Sequence, residues 1–282
     1  MIYYLAAMRP KQWIKNFFVF AGLIFSGNLL NLPMLLKVTG GFLVFCLLSG
    51  AVYLINDIVD VEKDRSHPRK KNRPLAAGLI SSRGAAYAAA AAAAAALAAA
   101  FALSATTGLI AASYFIMMLL YSFYLKSIII LDVFTIALGF VLRVVAGTEV
   151  IMVYLSPWAV MCTFFLALFL ALGKRRNEKV VLGENANNHR VSLETYSLAL
   201  IDQLISVVTT STVVSYFLYT FKTGQHLTSM ITIPFVLFGL FRYLHLVYSE
   251  NSGGSPEEIV IHDRPLQLAI LLWAAVSLVI LY

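Results

Sequence analysis

Long apolar runs with almost no charged residues recur along the chain and constrain its fold more than any other feature. Each run approaches the roughly 20 residues that an α-helix needs to cross the hydrocarbon core of a bilayer. With 60% hydrophobic and 12% charged residues, the composition excludes a soluble globular protein. We therefore expect an all-α membrane protein, a bundle of nine transmembrane helices forming a single polytopic domain over residues 1–282. The predicted spans are 16–34, 39–57, 84–103, 108–125, 128–148, 156–173, 203–221, 230–248 and 265–282.

Basic residues are distributed unevenly between the segments that connect these spans. If the spans alternate across the membrane, one side receives the N-terminus and the segments 58–83, 126–127, 174–202 and 249–264. These segments contain 17 of the 21 Lys and Arg residues. By the positive-inside rule, this side faces the cytoplasm. The sequence therefore predicts a multi-pass protein with its N-terminus and its charged loops, 58–83 and 174–202, in the cytoplasm.

An acidic motif, Asn56-Asp57-Ile58-Val59-Asp60-Val61-Glu62-Lys63-Asp64, follows the second predicted span. On a helix that turns about 100° per residue, Asp57, Asp60 and Asp64 fall within roughly a 60° arc. Mg²⁺ takes oxygen ligands and is usually shared between carboxylates and substrate phosphates. The motif therefore predicts a Mg²⁺ site, and the alternative is an acidic helix end neutralised by the cations that follow.

A strongly basic segment, 63–74, follows the acidic motif, with six cations in its first eleven residues and two prolines that favour a loop. A carboxylate cluster beside a cationic loop suits a metal-bound diphosphate. The metal bridges phosphate oxygens, and Lys and Arg neutralise the rest of the diphosphate charge. The alternative is that these cations only enforce the membrane topology. We expect no nucleic acid as a partner, because the patch is small and tied to a membrane.

Further charged residues lie close to span ends and inside the fifth span. Lys11 and Lys15 are four residues apart, and they either anchor the chain at the membrane interface or bind an anionic substrate. Asp132 and Arg143 are costly to place in lipid and point the same way, about 16 Å apart along one helix. They suggest a polar face toward a cavity of the bundle, or two structural pairs with other helices.

Two more charged groups lie at the cytoplasmic ends of predicted spans. Lys174 and Glu178 form an i,i+4 pair after the sixth span. Asp263-Arg264 at the entrance to the last span suits either an interfacial salt bridge or a part of the same cytoplasmic site. Together with the acidic motif, these groups predict a site at the cytosol–lipid boundary for a Mg²⁺-bound phosphorylated group beside an apolar co-substrate.

The spacing Asn56-Asp57-x-x-Asp60-x-x-x-Asp64 after the second of nine spans resembles the UbiA superfamily of intramembrane prenyltransferases. The resemblance covers the whole chain and implies a helical bundle whose active-site cavity opens to the cytoplasmic face. In that superfamily a second acidic DxxxD motif usually follows span six and helps to bind a prenyl diphosphate through Mg²⁺. In this chain Lys174-Arg175-Arg176-Asn177-Glu178 occupies that place, which argues against a second metal on an isoprenoid diphosphate.

This departure is similar to one branch of the superfamily, the decaprenyl-phosphate phosphoribosyltransferases of arabinogalactan precursor synthesis. The resemblance implies a Mg²⁺-dependent enzyme of the bacterial plasma (inner) membrane. It would transfer 5-phosphoribose from 5-phosphoribosyl 1-diphosphate to a polyprenyl phosphate and release diphosphate. Whether the chain forms a homo-oligomer stays open. The motifs shared with this branch are Arg9-Pro10-Lys11-Gln12-Trp13-Ile14-Lys15-Asn16, the acidic motif with its His67-Pro68-Arg69 continuation, Tyr124-Leu125-Lys126, Gly173-Lys174-Arg175 and Asp263-Arg264.

The resemblance also implies roles for individual residues. Mg²⁺ would be held by Asn56, Asp57, Asp60 and Asp64, the last three being the catalytic carboxylates, and would stabilise the leaving diphosphate. Lys126, Lys174 and Arg175 would hold the 5-phosphate or the diphosphate, while Lys11, Lys15 and Arg73 are candidates for the lipid phosphate. The full set of predicted substrate-binding residues is Lys11, Lys15, Arg73, Tyr124, Lys126, Arg143, Lys174, Arg175, Glu178, Asp263 and Arg264.

Two other functions stay open at this stage. The first is a UbiA-type prenyltransferase that moves an isoprenoid to an aromatic acceptor, and the missing second acidic motif speaks against it. The second is a membrane transporter with Asp132 and Arg143 along its substrate path. Transporters often show internal repeats and mid-membrane sites, whereas this sequence shows no convincing repeat and its charges cluster at one face.

Overall fold

The computed structural model describes residues 2–66, 70–182, 191–222, 226–249 and 256–282. Over these residues the chain forms α-helices and short 3-10 segments and contains no β-strand, so the predicted all-α class is confirmed. Eight of the described helical segments are long and apolar enough to cross a membrane. By its own contacts the chain divides into two compact units, Met1–Tyr154 and Leu155–Tyr282. That both belong to one membrane domain stays a prediction.

The first unit contains seven α-helices in its described part, with α3 at its centre, packed against α5, α6 and α7. In chain order its elements are α1 (Ile2–Ala7), a 3-10 segment (Pro10–Phe20), α2 (Ala21–Phe25), α3 (Leu32–Val59), α4 (Val61–Ser66), a 3-10 turn (Lys70–Asn72), α5 (Ser82–Leu103), α6 (Ala105–Phe123), a 3-10 turn (Leu125–Ser127) and α7 (Leu131–Glu149).

The second unit also contains seven α-helices in its described part, in which α8 packs on α10 and α12 packs on α14. Its elements are α8 (Pro157–Leu182), α9 (Val191–Thr195), α10 (Leu198–Lys222), α11 (His226–Met230), α12 (Ile233–Ser249), α13 (Pro256–His262) and α14 (Arg264–Leu281).

Side-chain caps and small residues account for several of these elements. Asn31, Ser81, Ser104 and Asp263 are the N-caps of α3, α5, α6 and α14, and each accepts a hydrogen bond from the backbone N–H three residues later. The alanine tract of α5 turns a row of small side chains into the core, which lets α5 approach α3 closely. This packing holds α3, and with it the acidic motif, in place.

The first of the nine predicted spans does not form the single helix that was expected over 16–34. The chain instead starts a 3-10 segment at Pro10, continues as α2 and leaves the helical path after Phe25. This stretch runs antiparallel to α3, because Arg9 contacts Asp57 near one end of α3 while Asn16 bonds Ser49 farther along it. Eleven residues at about 2.0 Å and five at about 1.5 Å give a length of roughly 30 Å.

Two segments predicted as loops are partly helical. Residues 58–83 include the end of α3, the short helix α4 and a 3-10 turn. The predicted loop 174–202 begins inside α8, which continues to Leu182, so Lys174, Arg175 and Glu178 are helical. Charged residues extend α8 beyond its apolar run at this end. Residues 67–69, which include the His67-Pro68-Arg69 continuation, and 183–190 lie outside the described residues.

Candidate active site

The acidic motif is not one continuous helix, and this corrects the prediction of three carboxylates on a single face. Helix α3 ends at Val59, Asp60 is its C-cap with φ −99° and ψ 8°, and Asp64 lies on the separate helix α4. The break interrupts the regular 100° rotation between Asp57 and Asp64. The carboxylates consequently divide into two groups, each with its own cations.

The first group consists of Asp57 and Asp64, both 2% exposed. One nitrogen of the Arg73 guanidinium donates to Asp57 Oδ1 at 3.2 Å and to Asp64 Oδ2 at 2.5 Å, and so bridges the two. Arg9 also donates to Asp57 Oδ1, and its guanidinium carbon lies 4.6 Å from the centroid of the Tyr53 ring. Two guanidinium groups therefore offset the charge of two buried carboxylates, as burial requires.

The second group consists of Asn56, Asp60 and Lys126, which reaches the motif from the 3-10 turn after α6. The Lys126 ammonium donates to both carboxylate oxygens of Asp60, at 2.7 and 2.8 Å, and to Asn56 Oδ1 at 3.3 Å. The Asn56 amide in turn donates to Asp60 Oδ2 at 3.1 Å. About a fifth of the Asp60 side chain is exposed, so this group is more accessible than the first.

The donor set fits a hard divalent cation that is shared with a phosphorylated substrate. Among the described residues, no three His, Cys, Asp or Glu side chains lie close enough together to hold a metal ion alone. However, Asp57 Oδ2 is buried without a hydrogen-bond partner in the described part of the chain. Carboxylate and amide oxygens are typical Mg²⁺ ligands, and Mg²⁺ normally completes its shell with water and phosphate. The residues present therefore suit a Mg²⁺ ion that phosphate oxygens help to coordinate.

The structure places the other predicted residues of the first unit at different depths. Lys11 is exposed and Lys15 half-buried on the 3-10 segment Pro10–Phe20, while Tyr124, two residues before Lys126, is 68% exposed. Arg143 is buried in the core, away from the acidic motif's described contacts. Its guanidinium donates to Asn16, Gly139 and Tyr114, so for Arg143 the contacts match the alternative of structural pairing with other parts of the bundle.

The basic run that replaces a second acidic motif lies on the last turns of α8. Arg175 is 1% exposed and donates to Glu178 Oε2 at 2.5 Å, so these two residues, each predicted to bind substrate, form one partly buried ion pair. Arg176 donates to Asp202 Oδ1 at 2.8 Å and stacks over the Tyr248 ring, 3.9 Å from its centroid. Tyr248 also donates to Asp202 at 2.9 Å. Lys174 is half-buried beside them.

Asp263 ties α14 to α12 through an ion pair with Arg242, whereas the sequence left open either an interfacial salt bridge or a part of the cytoplasmic site. Its carboxylate accepts hydrogen bonds from Arg242, the shortest at 2.7 Å, and from the backbone N–H of Leu266 at 2.8 Å. The Arg242 hydrogen bond is the main reason why the pKa of Asp263 lies below its ordinary value, and the Leu266 bond adds to it. The neighbouring Arg264 is exposed.

Arg9 and Asp202 are among the residues of these clusters that were absent from the set predicted from sequence. Arg9 contacts Asp57, one of the two most buried carboxylates of the motif, and its only signal was its place at the start of the basic Arg9–Asn16 motif. Asp202 pairs with Arg176, and its signal was an isolated acid just before the seventh predicted span. Neither signal specified a partner, because both contacts join distant parts of the sequence.

Comparison with known proteins identifies relatives of this chain. The chain matches the UbiA prenyltransferase family over residues 16–258. It is 34% identical over 278 residues to a decaprenyl-phosphate phosphoribosyltransferase of Corynebacterium glutamicum, covering 95% of this chain and 83% of the relative. The protein of that name in Mycobacterium tuberculosis is 32% identical over 274 residues, covering 95% and 91%.

Solved structures agree at the level of the fold. A UbiA homologue from Archaeoglobus fulgidus, solved with bound GPP and Mg²⁺, superimposes with a TM-score of 0.76 over 99% of both chains at 20% identity. A second UbiA homologue, from Aeropyrum pernix, gives a TM-score of 0.66 over 94% of this chain. From its sequence match over residues 16–258 and its fold, the chain belongs to the UbiA prenyltransferase family.

Proposed function

We propose that the protein transfers 5-phosphoribose from 5-phosphoribosyl 1-diphosphate to a polyprenyl phosphate of the decaprenyl type, with release of diphosphate. One observation supports this choice above all. A basic run, Lys174-Arg175-Arg176, takes the place of a second acidic motif in a chain that is 34% identical over 95% of its length to a decaprenyl-phosphate phosphoribosyltransferase. The product is a polyprenyl-phosphoryl 5-phosphoribose, a precursor of cell-wall arabinan.

Asn56, Asp57, Asp60 and Asp64 are the residues that would hold Mg²⁺. When bound, Mg²⁺ supplies Lewis-acid stabilisation of the charge that develops on the leaving diphosphate. The neighbouring cations Arg9, Arg73 and Lys126 already contact these carboxylates. We propose that their charged N–H groups donate to the remaining diphosphate oxygens through charge-assisted hydrogen bonds, which moves Arg73 from the lipid phosphate to the diphosphate.

The reaction needs no strong general base at this site. A phosphate monoester is anionic at neutral pH, so an oxygen of the lipid phosphate can attack C1 of the ribose directly. The bond from C1 to the diphosphate oxygen breaks and its electron pair leaves with diphosphate. We expect a single displacement with inversion at C1.

We also propose that the chain crosses the membrane nine times, with the acidic motif at the cytoplasmic face of a bacterial plasma membrane. The ninth crossing is the 3-10 segment Pro10–Phe20 with α2, whose length of roughly 30 Å matches the hydrocarbon thickness. This count keeps the basic segments on one side, as the positive-inside rule requires. Substrate roles for Lys11, Lys15, Tyr124, Lys174, Arg175, Glu178 and Arg264 stay predictions.

Two labelled donors distinguish the proposed function from the other prenyltransferase chemistry of this family. Membranes containing the protein and polyprenyl phosphate are incubated with labelled 5-phosphoribosyl 1-diphosphate, and parallel samples receive labelled prenyl diphosphate with an aromatic acceptor. The proposal predicts that phosphoribosyl label enters an acid-labile lipid and that prenyl label is not transferred. Transfer of the prenyl label alone would replace it with aromatic prenylation, and transfer of neither label would favour transport.

A further inference from the structure

We infer that Arg143 is a positioning residue, which acts on the reaction through Arg9 rather than by binding substrate. Arg143 fixes the 3-10 segment Pro10–Phe20 in register, and the turn before this segment presents Arg9 to Asp57. The inference rests on the proposed function, because it takes Arg9 to be a residue that neutralises the diphosphate.

The surroundings of Arg143 leave its guanidinium no freedom to move. The side chain is buried, and it donates from Nε to Asn16 Oδ1 at 2.7 Å, from Nη1 to the Gly139 carbonyl at 2.7 Å and from Nη2 to the Tyr114 hydroxyl at 2.8 Å. Its guanidinium carbon lies 4.7 Å from the centroid of the Tyr114 ring. The described residues provide only neutral acceptors for this cation, so its hydrogen-bond geometry rather than a counter-charge compensates its burial.

Asn16 connects the fixed Arg143 side chain to the 3-10 segment. It is fully buried, its Oδ1 accepts from Arg143 on α7, and its Nδ2 donates to Ser49 Oγ at 3.2 Å and to Cys46 Sγ at 3.3 Å on α3. A single side chain of the segment is thereby held by two helices at once. Because both ends of its amide are engaged, Asn16 can neither rotate nor shift along the axis without breaking a buried hydrogen bond.

Close packing three residues later prevents the segment from moving away. A Cβ atom at Gly147 would lie 1.8 Å from the carbonyl oxygen of Val19, so the segment's backbone rests directly on α7. From Asn16 back to Arg9 is seven residues, or about 14 Å along a 3-10 helix. A slip of one residue would displace Arg9 by about 2 Å and rotate it by about 120°, out of reach of Asp57.

The turn at Arg9 needs such support because its backbone is strained. Arg9 has φ 54° and ψ 65°, in the left-handed region, and it directly precedes Pro10. Both features are unfavourable for a residue with a Cβ atom. Strained backbone persists where the surrounding structure fixes it. Here the Trp13 indole donates to the Met8 carbonyl at 3.3 Å and closes the turn, and the Arg143–Asn16 contact anchors the segment that follows.

A double-mutant cycle separates this role from a purely structural one and from direct substrate binding. The full-length protein is assayed in lipid nanodiscs as wild type, R9M, R143M and R9M/R143M, and KM for the phosphoribosyl donor and kcat are measured. Each single variant is expected to raise KM by about 10-fold or more. If Arg143 acts through Arg9, the double variant is no worse than R9M by more than about 2-fold. If KM of the double variant instead rises by the product of the two single effects, to about 100-fold, the inference is overturned.

Variants that retain most of the core guard against a failure to fold. N16A and Y114F each remove one acceptor of Arg143, and each is combined with R9M in the same cycle. N16A is expected to be non-additive with R9M, like R143M. The matched control is Y216F in the second unit, which removes buried hydrogen bonds to Thr232 and Trp273. Its effect on kcat/KM is expected to multiply with that of R9M, since the two hydrogen bonds that it removes join residues of the second unit.

A binding measurement distinguishes failure of this inference from failure of the proposed function. The same variants are tested for thermal stabilisation by Mg²⁺ with inorganic diphosphate, which requires no transfer reaction. If Mg²⁺ with diphosphate stabilises the wild type but the wild type transfers no phosphoribose, the proposed function fails. The same double-mutant cycle, with thermal stabilisation as its readout, then still decides the inference about Arg143. Non-additive loss of stabilisation in R9M and R143M supports it, and independent losses contradict it. A wild type without any stabilisation contradicts both.

Discussion

Lys126 donates from its ammonium group to both carboxylate oxygens of Asp60, at 2.7 and 2.8 Å, although 66 positions separate the two residues in the chain. The contact joins the turn after α6 to the C-cap of α3, where the acidic motif breaks. It puts a cation beside a partly exposed carboxylate, which is the arrangement that a metal-bound diphosphate requires.

Replacing Lys126 by Met should therefore weaken donor binding. One charge-assisted hydrogen bond is worth about 1.5–3 kcal/mol, so we expect KM for 5-phosphoribosyl 1-diphosphate to rise about 10- to 100-fold. Lys126→Arg, which keeps the charge, should recover part of the loss. Lys37→Met, at an exposed cation near the other end of α3, is the control and should behave as the wild type. An unchanged KM in Lys126→Met would exclude Lys126 from the donor site.

Removal of divalent cations should abolish transfer. Treatment with EDTA is expected to reduce the rate to background, and Mg²⁺ should restore it. Ca²⁺ should restore much less, because it prefers more ligands and longer distances than Mg²⁺. The rate of lipid labelling measures this, with restored activity after added Mg²⁺ as the control for irreversible damage. Full activity in EDTA would rule out the predicted metal.

Asp263 should stabilise the second unit in a pH-dependent way. Its pKa is below the ordinary value of about 3.9, so its stabilisation is fully present above that value and is lost as pH falls through the lower, folded-state pKa. We expect Asp263→Ala to lower the free energy of unfolding by about 1–2 kcal/mol at pH 7, by loss of the N-cap and the ion pair.

Thermal unfolding of both proteins between pH 7 and pH 3 checks this prediction. The difference in unfolding midpoint between wild type and Asp263→Ala should become smaller only at the acid end of that range. Asp263→Asn keeps the N-cap acceptor and loses the charge, so its unfolding midpoint should lie between the two at pH 7. A difference that stays constant down to pH 3 would contradict the assigned role of the Arg242 hydrogen bond.

Gly147→Ala should be severely destabilising, although Ala normally stabilises a helix relative to Gly. The added Cβ would lie 1.8 Å from the Val19 carbonyl oxygen, which cannot move without displacing the 3-10 segment. We expect a loss of about 2 kcal/mol or more in thermal or denaturant unfolding. Gly239→Ala is the matched control, because its Cβ would meet only a Leu266 methyl at 3.7 Å. Equal stability of Gly147→Ala and Gly239→Ala would contradict the close approach of Gly147 to the Val19 carbonyl oxygen.

Much of the fold could be predicted because apolar length is a local property. The runs that became α3, α5, α6, α7, α8, α10, α12 and α14 were each predicted as a span. The resemblance to the UbiA family was also confirmed, because it depends on the acidic motif and on basic motifs that are contiguous in sequence. The 3-10 segment Pro10–Phe20 was missed, since hydropathy does not distinguish a 3-10 from an α-helical crossing.

The details of the candidate site could not be predicted, because they depend on contacts between distant residues. The regular rotation of a helix predicted Asp57, Asp60 and Asp64 on one face. Nothing in the sequence indicated that the helix breaks at Asp60. The bridging role of Arg73 and the pairing of Lys126 with Asp60 depend on how separate elements pack. Arg143 was predicted to lie on a polar face of its span or to pair with another helix, and the sequence did not indicate that its partners are Asn16 and Tyr114.

Asp57 offers the most direct test, because it is the most buried carboxylate of the acidic motif together with Asp64 and has an oxygen without a partner among the described residues. The measurement is Mg²⁺-dependent transfer of label from 5-phosphoribosyl 1-diphosphate to polyprenyl phosphate by wild type and Asp57→Ala, with folding of both verified by thermal unfolding. The proposed function predicts Mg²⁺-dependent labelling by the wild type and a loss of about 100-fold or more in the folded variant. Full activity of Asp57→Ala would contradict it.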